Sequence, residues 1–205
     1  MRIRKFVVGY MGTNCYFLEG NDKSKVVVVD PGAQCDLILE KLKESNQSVQ
    51  YILLTHGHFD HLLALEELRT KTNAPVYIHE KDNEMLLDAK KSLTTYVNIE
   101  TPQRPADFFI EDGQELDVGG EKMKVMHTPG HTPGSCCFIC KGDLISGDTL
   151  FREGTGRYDL WGGNYYDLRS SLQKLAMLEG DYKIYPGHGN STTLEYEKQN
   201  NIALM

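Results

Sequence analysis

No stretch of this chain approaches the roughly 20 consecutive apolar residues that a membrane-crossing helix needs. Basic residues are not in excess either: 22 Lys and Arg stand against 29 Asp and Glu, a net charge of −7. That balance argues against sequence-independent nucleic-acid binding, which needs a basic surface to neutralise phosphates. The N-terminal "MRIRKFVVGYMGTN" holds an apolar run too short for a signal peptide, so a cytoplasmic location is expected. Cysteine is scarce: Cys15, Cys35, Cys136, Cys137 and Cys140 make an odd number, which does not suit a disulfide framework. The cluster "SCCFIC" fits either a thiolate metal site or a buried strand. The strand is preferred, with Cys136, Phe138 and Cys140 on one face and Cys137 and Ile139 on the other. Histidine is scarce as well, with seven in 205 residues. Three of the seven nevertheless fall within the six positions of "HGHFDH", and imidazole costs stability in a core unless its nitrogens find partners.

What is present is enough apolar residue, 40% of the chain, for one substantial core. Strand-like runs come first, "RIRKFVV", "NCYFLEG" and "KVVVVD", the last with the composition of a strand buried on both faces. After the turn "DPGAQ" the spacing of Leu37, Ile38 and Leu42 predicts a helix. Strand "VQYILLT", helix "LLALEELRTKT", strand "APVYIHE" and a short helix in "KDNEMLLDAKKS" follow. Residues 89–107 read as an irregular crossing. Strands resume in "QELDVGGEKMKVMHT", where the Gly pair at 119–120 marks a hairpin, and in "GSCCFICKGDLISGD". The chain closes with helix "YDLRSSLQKLAML", strand "DYKIYPGH" and a terminal helix near "TTLEYEKQNN". The expected architecture is one α/β domain over residues 1–205, a four-layer αββα sandwich of two mixed sheets with outer helices. Its two pseudo-symmetric halves would span about 1–105 and 106–205.

His56 and His58, two apart on an extended segment, point the same way and can reach one ion. Asp60 and His61 sit where the chain turns into a helix and can face a second point nearby. A His-x-His pair alone is a weak motif. Here it is joined by three more metal-binding side chains delivered by loops at the ends of apolar strands: His131 in "HTPGHTPGS", Asp148 in "LISGDTLF" and His188 in "KIYPGHGN". Strand ends of an α/β sheet are where sites are built. His79 is expected to cap the helix that follows it. His127 either packs or supports the His131 loop, and Asp30 either orients the histidine loop or caps its own turn. In the loop "FREGTGRYDLWGG", residues 151–163, Arg152, Arg157 and Tyr158 are candidates for gripping a substrate carboxylate, with solvated charge as the alternative.

Taken together, "THGHFDH" with His131, Asp148 and His188 in that order resembles the metallo-β-lactamase superfamily over essentially the whole chain. "VVVDPG", "HTPGHTPGS", "SGDTLFREGTGRYD" and "YPGHGNSTTLEYEKQNN" are most similar to its glyoxalase II-like (hydroxyacylglutathione hydrolase-like) branch. The resemblance implies one divalent ion on His56, His58 and His131, a second on Asp60, His61 and His188, and Asp148 bridging both. Zinc is the default, with iron and manganese as alternatives. It also implies a binuclear hydrolase that attacks the carbonyl of a thioester, S-lactoylglutathione or a related acyl thiol, with a metal-generated hydroxide. Asp60 would orient that hydroxide as the catalytic carboxylate. Glyoxalase II enzymes carry a further helical domain after the last histidine. Here 17 residues follow His188, which points to the short single-domain branch and puts glutathione recognition in doubt. The alternatives are a mononuclear iron persulfide dioxygenase and a non-catalytic metal-binding module. The partner expected is a small thioester or ester, with neither nucleic acid nor membrane, and the oligomeric state is left open.

Overall fold

The computed structural model describes residues 1–97 and 104–204. Its first sheet carries six strands in chain order: β1 (Arg2–Val8), β2 (Thr13–Glu19), β3 (Lys25–Val29), β4 (Ser48–Leu53), β5 (Val76–His79) and β6 (Phe108–Ile110). The first three run antiparallel, and β3 to β6 pair in parallel. The second sheet is built from β7 (Glu115–Val118), β8 (Glu121–His127), β9 (Cys136–Cys140), β10 (Asp143–Gly147), β13 (Lys183–Pro186) and β14 (Thr192–Thr193). A small hairpin of β11 (Leu150–Phe151) and β12 (Gly154–Thr155) stands apart from both sheets. The helices are α1 (Cys35–Glu44), α2 (Leu65–Thr72), α3 (Glu80–Leu87), α4 (Tyr165–Ala176) and α5 (Leu194–Asn200).

Three apolar clusters define four layers. Along β3, Val27 and Val29 face the other sheet while Val26 and Val28 face α1 and α2, so alternation buries both sides of an all-valine run. Tyr16 and Leu18 of β2 meet Phe138, Val125 and Ile145 of the second sheet in the middle layer. On its outer side, Cys137 and Leu144 meet Leu168, Leu172 and Leu175 of α4. The cysteine-rich strand therefore alternates as expected, with Cys136, Phe138 and Cys140 inward and Cys137 outward, and all five thiols are free and buried. The first sheet extends to Ile110, so the division between sheets falls past the expected 105/106. The reason is a three-residue strand, Phe108–Ile110, that adds in parallel to β5. The expected crossing at 89–107 falls partly outside the described residues; within them it contains a 3-10 turn at Thr94–Val97. Among the described residues no helix is long and apolar enough to cross a membrane.

Candidate metal centre

Beyond the end of β4 the chain bends at Thr55, is extended at His58 (φ −74°, ψ 146°), and then closes a single 3-10 turn over Phe59–His61. His56 and His58 therefore project together, and Asp60 and His61 swing to the neighbouring position. His131 arrives from the loop between β8 and β9, Asp148 directly after β10, and His188 directly after β13, where it bridges to Thr13 of β2. Ligand atoms in three groups lie within 4.8 Å of one another: His56 with His58 and His131, His56 with His61 and Asp148, and Asp60 with His61 and His188. His58 Nδ1 stands 2.9 Å from His131 Nε2, and His61 Nε2 stands 3.3 Å from His188 Nε2. Asp148 lies between the trios, with Oδ1 3.4 Å from His61 Nε2 and Oδ2 3.6 Å from both His131 Nε2 and His188 Nε2. All seven sequence candidates come to one place.

Hydrogen bonds decide which nitrogens face inward. The Asp30 carboxylate accepts from Thr55 N (2.8 Å) and Thr55 Oγ1 (2.7 Å), and His61 Nδ1 donates to it at 2.9 Å. Because the Thr55 hydroxyl gives its one proton to Asp30, it accepts from His56 Nδ1 at 3.0 Å, which leaves the His56 Nε2 lone pair facing the centre. Asp30 thus orients the histidine loop. His131 Nδ1 donates to the Arg157 carbonyl at 2.7 Å, which turns its Nε2 inward as well. Thr13 Oγ1 holds Asp60 Oδ2 at 3.1 Å. Asn14 Nδ2 donates to the carbonyls of Pro186 (2.8 Å) and Gly189 (3.0 Å), so β2 of the first sheet pins the His188 loop of the second.

Asp82 of α3 is the supporting residue that the sequence did not reveal. Its Oδ2 accepts from Gly57 N (3.1 Å) and Thr132 Oγ1 (2.6 Å), and its Oδ1 accepts from Gly134 N (2.6 Å). One buried carboxylate therefore ties the loop of His56 and His58 to the loop of His131. His127 serves the same loop, donating from Nε2 to the Pro133 carbonyl at 2.9 Å while its ring stacks on His79, 4.0 Å between centroids. His79 accepts from Lys81 N and caps α3, as expected.

Burial pushes His56 well below the ordinary imidazole range, His58 to about 3, and His131 down as well, so these rings are neutral and offer lone pairs. Burial works against ionising Asp60 and Asp148, yet the surrounding histidines outweigh it and both carboxyls lie below their ordinary value. His61 is shifted the other way: burial opposes its charge, but Asp148, Asp60 and Asp30 together raise it well above the usual value. Among the described residues His56 Nε2, His58 Nε2 and Asp148 Oδ1 are buried without a hydrogen-bond partner. Neutral imidazoles beside ionised carboxylates, one of them with an unpartnered oxygen, fit divalent cations, and an N/O donor set of this kind accepts zinc, iron or manganese.

Residues 8–188 match the family model of the metallo-β-lactamase superfamily. The chain belongs to that superfamily. A probable metallo-hydrolase of Bacillus subtilis, YqgX, is 40% identical over 98% of this chain and 96% of its own length. The hydroxyacylglutathione hydrolase GloC of Haemophilus influenzae is 30% identical over 98% of this chain and 97% of its own. The solved structure of TTHA1623 in a di-iron-bound form superposes with a TM-score of 0.89 at 32% identity, covering 97% of this chain and 98% of that one. The superfamily's glyoxalase II-like branch accounts for these likenesses.

In this member of the superfamily the loop after Asp148 behaves differently from its sequence reading. The Arg157 guanidinium is taken up by Asp159 at 2.7 and 2.8 Å, and it is the main chain of Arg157 that reaches the centre, through His131. Arg152 pairs with Glu153 and lies over the Tyr196 ring, away from the cleft. Tyr158 lines a separate cavity of about 260 Å3 with Tyr165, Arg169 and Ile202. Glycines let the loop approach the metal ligands, but they bring its backbone there and turn the Arg152 and Tyr158 side chains elsewhere. A cleft of about 490 Å3 opens above His58, Asp60, His131, Asp148 and His188.

Proposed function

We propose that this protein is a thioester hydrolase whose seven convergent residues hold two divalent cations, zinc in the first instance. His56, His58 and His131 would hold one, Asp60, His61 and His188 the other, and Asp148 would serve both. The observation that carries the reading is the place of Asp148, whose two oxygens lie 3.4–3.6 Å from histidines of both trios at the floor of an open cleft. When bound, such cations supply Lewis acidity and lower the pKa of water from about 15.7 towards about 7.

The chain's own groups do the rest. Asp60, ionised and steered by the Thr13 hydroxyl, is placed to orient a water. Asp30, Thr55 and the Arg157 carbonyl take the Nδ1 protons of His61, His56 and His131, so that the Nε2 atoms of the three rings face inward. Reactions with a poor leaving group need a protonated acid to assist its departure. A thiol, with a pKa near 8.5, departs without one. That property of thiols, and the name of the GloC relative, favour a thioester substrate. All five thiols are buried, and burial pushes Cys15, Cys35, Cys136, Cys137 and Cys140 upward, which leaves no cysteine nucleophile to compete.

Thioester cleavage by purified protein, followed through thiol release, tests the proposal: chelation should abolish it and added zinc should restore it. Cleavage indifferent to chelator would overturn the reading. Iron-loaded protein assayed for oxygen uptake with a persulfide separates hydrolysis from the dioxygenase alternative.

A further inference from the structure

The walls of the cleft carry more chemistry than its floor alone explains. Tyr10 and Met11 rise on one side from the β1–β2 turn, Leu93, Tyr96 and Val97 on another, and Leu160 on the loop after Asp148. Tyr10, Met11 and Tyr96 are 69%, 51% and 80% exposed, so two aromatic rings and a thioether stand in water around one mouth. Clustered exposed apolar groups mark binding surfaces, whereas scattered ones need no explanation. Charge is nearly absent from these walls. Among the described residues lining the cleft, Arg157 is the one cationic side chain besides histidine, and Asp159 already holds it in a two-point ion pair.

We infer that the cleft selects thioesters with an uncharged, apolar acyl arm, medium alkyl or aryl, over thioesters of a carboxylate-bearing peptide thiol such as glutathione. The inference rests on the thioester reading above and deepens it. A glutathione thioester brings two carboxylates, and the one cationic side chain on these walls besides histidine already shares two of its N–H groups with Asp159, so the walls offer them little counter-charge. An alkyl or phenyl arm instead removes Tyr10, Met11 and Tyr96 from water together with itself. In the reaction, water oxygen bonds to the acyl carbon and the carbon–sulfur bond breaks. The electron pair leaves on sulfur, which takes up one water proton, and the products are a carboxylic acid and a free thiol.

The test compares kcat/KM of the zinc-loaded full chain for acetyl, hexanoyl and benzoyl thioesters of the neutral thiol N-acetylcysteamine, and for S-lactoylglutathione. Hexanoyl and benzoyl substrates should exceed both the acetyl substrate and S-lactoylglutathione by about tenfold or more, the scale of a few buried methylenes. The double variant Met11→Ala, Tyr96→Ala should bring the hexanoyl-to-acetyl ratio towards one. A flat ratio with S-lactoylglutathione as good or better would overturn the inference and leave the hydrolase reading standing. If no thioester is cleaved, the hydrolase reading falls. Calorimetric binding of S-hexyl-N-acetylcysteamine against S-hexylglutathione then decides the inference, and tighter binding of the glutathione thioether would overturn it.

Discussion

Asp82 holds two ligand loops together at an energetic cost. Burial pushes its carboxyl up to about 6 even though Thr132, Gly134 and Gly57 donate to it. Its folded-state value lies above its unfolded one of 3.8, so this group favours folding in acid. That contribution is fully present below about pH 4 and is lost as the pH rises through about 6, an amount of roughly 3 kcal/mol by linkage. In Asp82→Asn the penalty disappears. Relative to wild type, metal-free variant protein should therefore gain stability between pH 4 and pH 7, read by urea unfolding at both values. An unchanged difference would contradict the assignment. The same variant leaves Gly134 N or its partners imperfectly paired, and zinc affinity measured by competition with a chelator should fall by about 10-fold or more. His58→Ala should abolish turnover while the circular dichroism spectrum is retained, because the three apolar clusters contain no ligand histidine. At this scale the residues that converge on the candidate centre were legible and their supports were not. His56, His58, Asp60 and His61 announce themselves by adjacency, and His131, Asp148 and His188 by sitting at strand ends. Asp82 meets Thr132 across 50 positions and Asn14 meets Pro186 across 172, distances over which no spacing rule operates.

Strands and the loops that leave them set how closely the ligands approach. Gly187, between β13 and His188, passes so near the centre that a Cβ there would overlap Asp148 Oδ1 and stand 2.8 Å from His61 Cε1. Gly187→Ala should therefore displace Asp148, lower metal content per chain by elemental analysis, and cut turnover well beyond its cost in stability. Overpacking of this kind costs about 1–3 kcal/mol. In the middle layer Phe138 is fully buried between the sheets, and Phe138→Ala should cost about 3–5 kcal/mol in denaturant unfolding. The long elements were legible because their periodicity extends over several residues: the valine run of β3, the alternating β9 and the apolar stripe of α4 all stand where the pattern puts them. The three-residue β6 and the two-residue β11, β12 and β14 escaped, since two or three residues carry no period, and pairing partners rather than local preference define them. The side-chain directions in the 151–163 loop escaped for the same reason. Nothing local announces that Asp159 takes Arg157 for itself.

As a whole, the molecule is two sheets closed against each other with every proposed ligand supplied from loops along one edge of the sandwich. The first sheet gives His56, His58, Asp60 and His61, the second gives His131, Asp148 and His188, and neither set is complete alone. Cation binding therefore couples the two halves, although the apolar layers hold them together without it. Metal-free protein should stay folded but melt lower. With zinc at about 100 times its dissociation constant, each bound ion adds about 2.7 kcal/mol, roughly 5–10 °C per ion in a chain of this size, checked by thermal scans with and without chelator. The measurement that bears most directly on the central claim is a zinc titration of metal-free protein in which thioester turnover is followed against ions bound per chain. The account predicts that turnover rises with the second ion and levels off at two per chain. Full turnover at one ion, or at none, would contradict it.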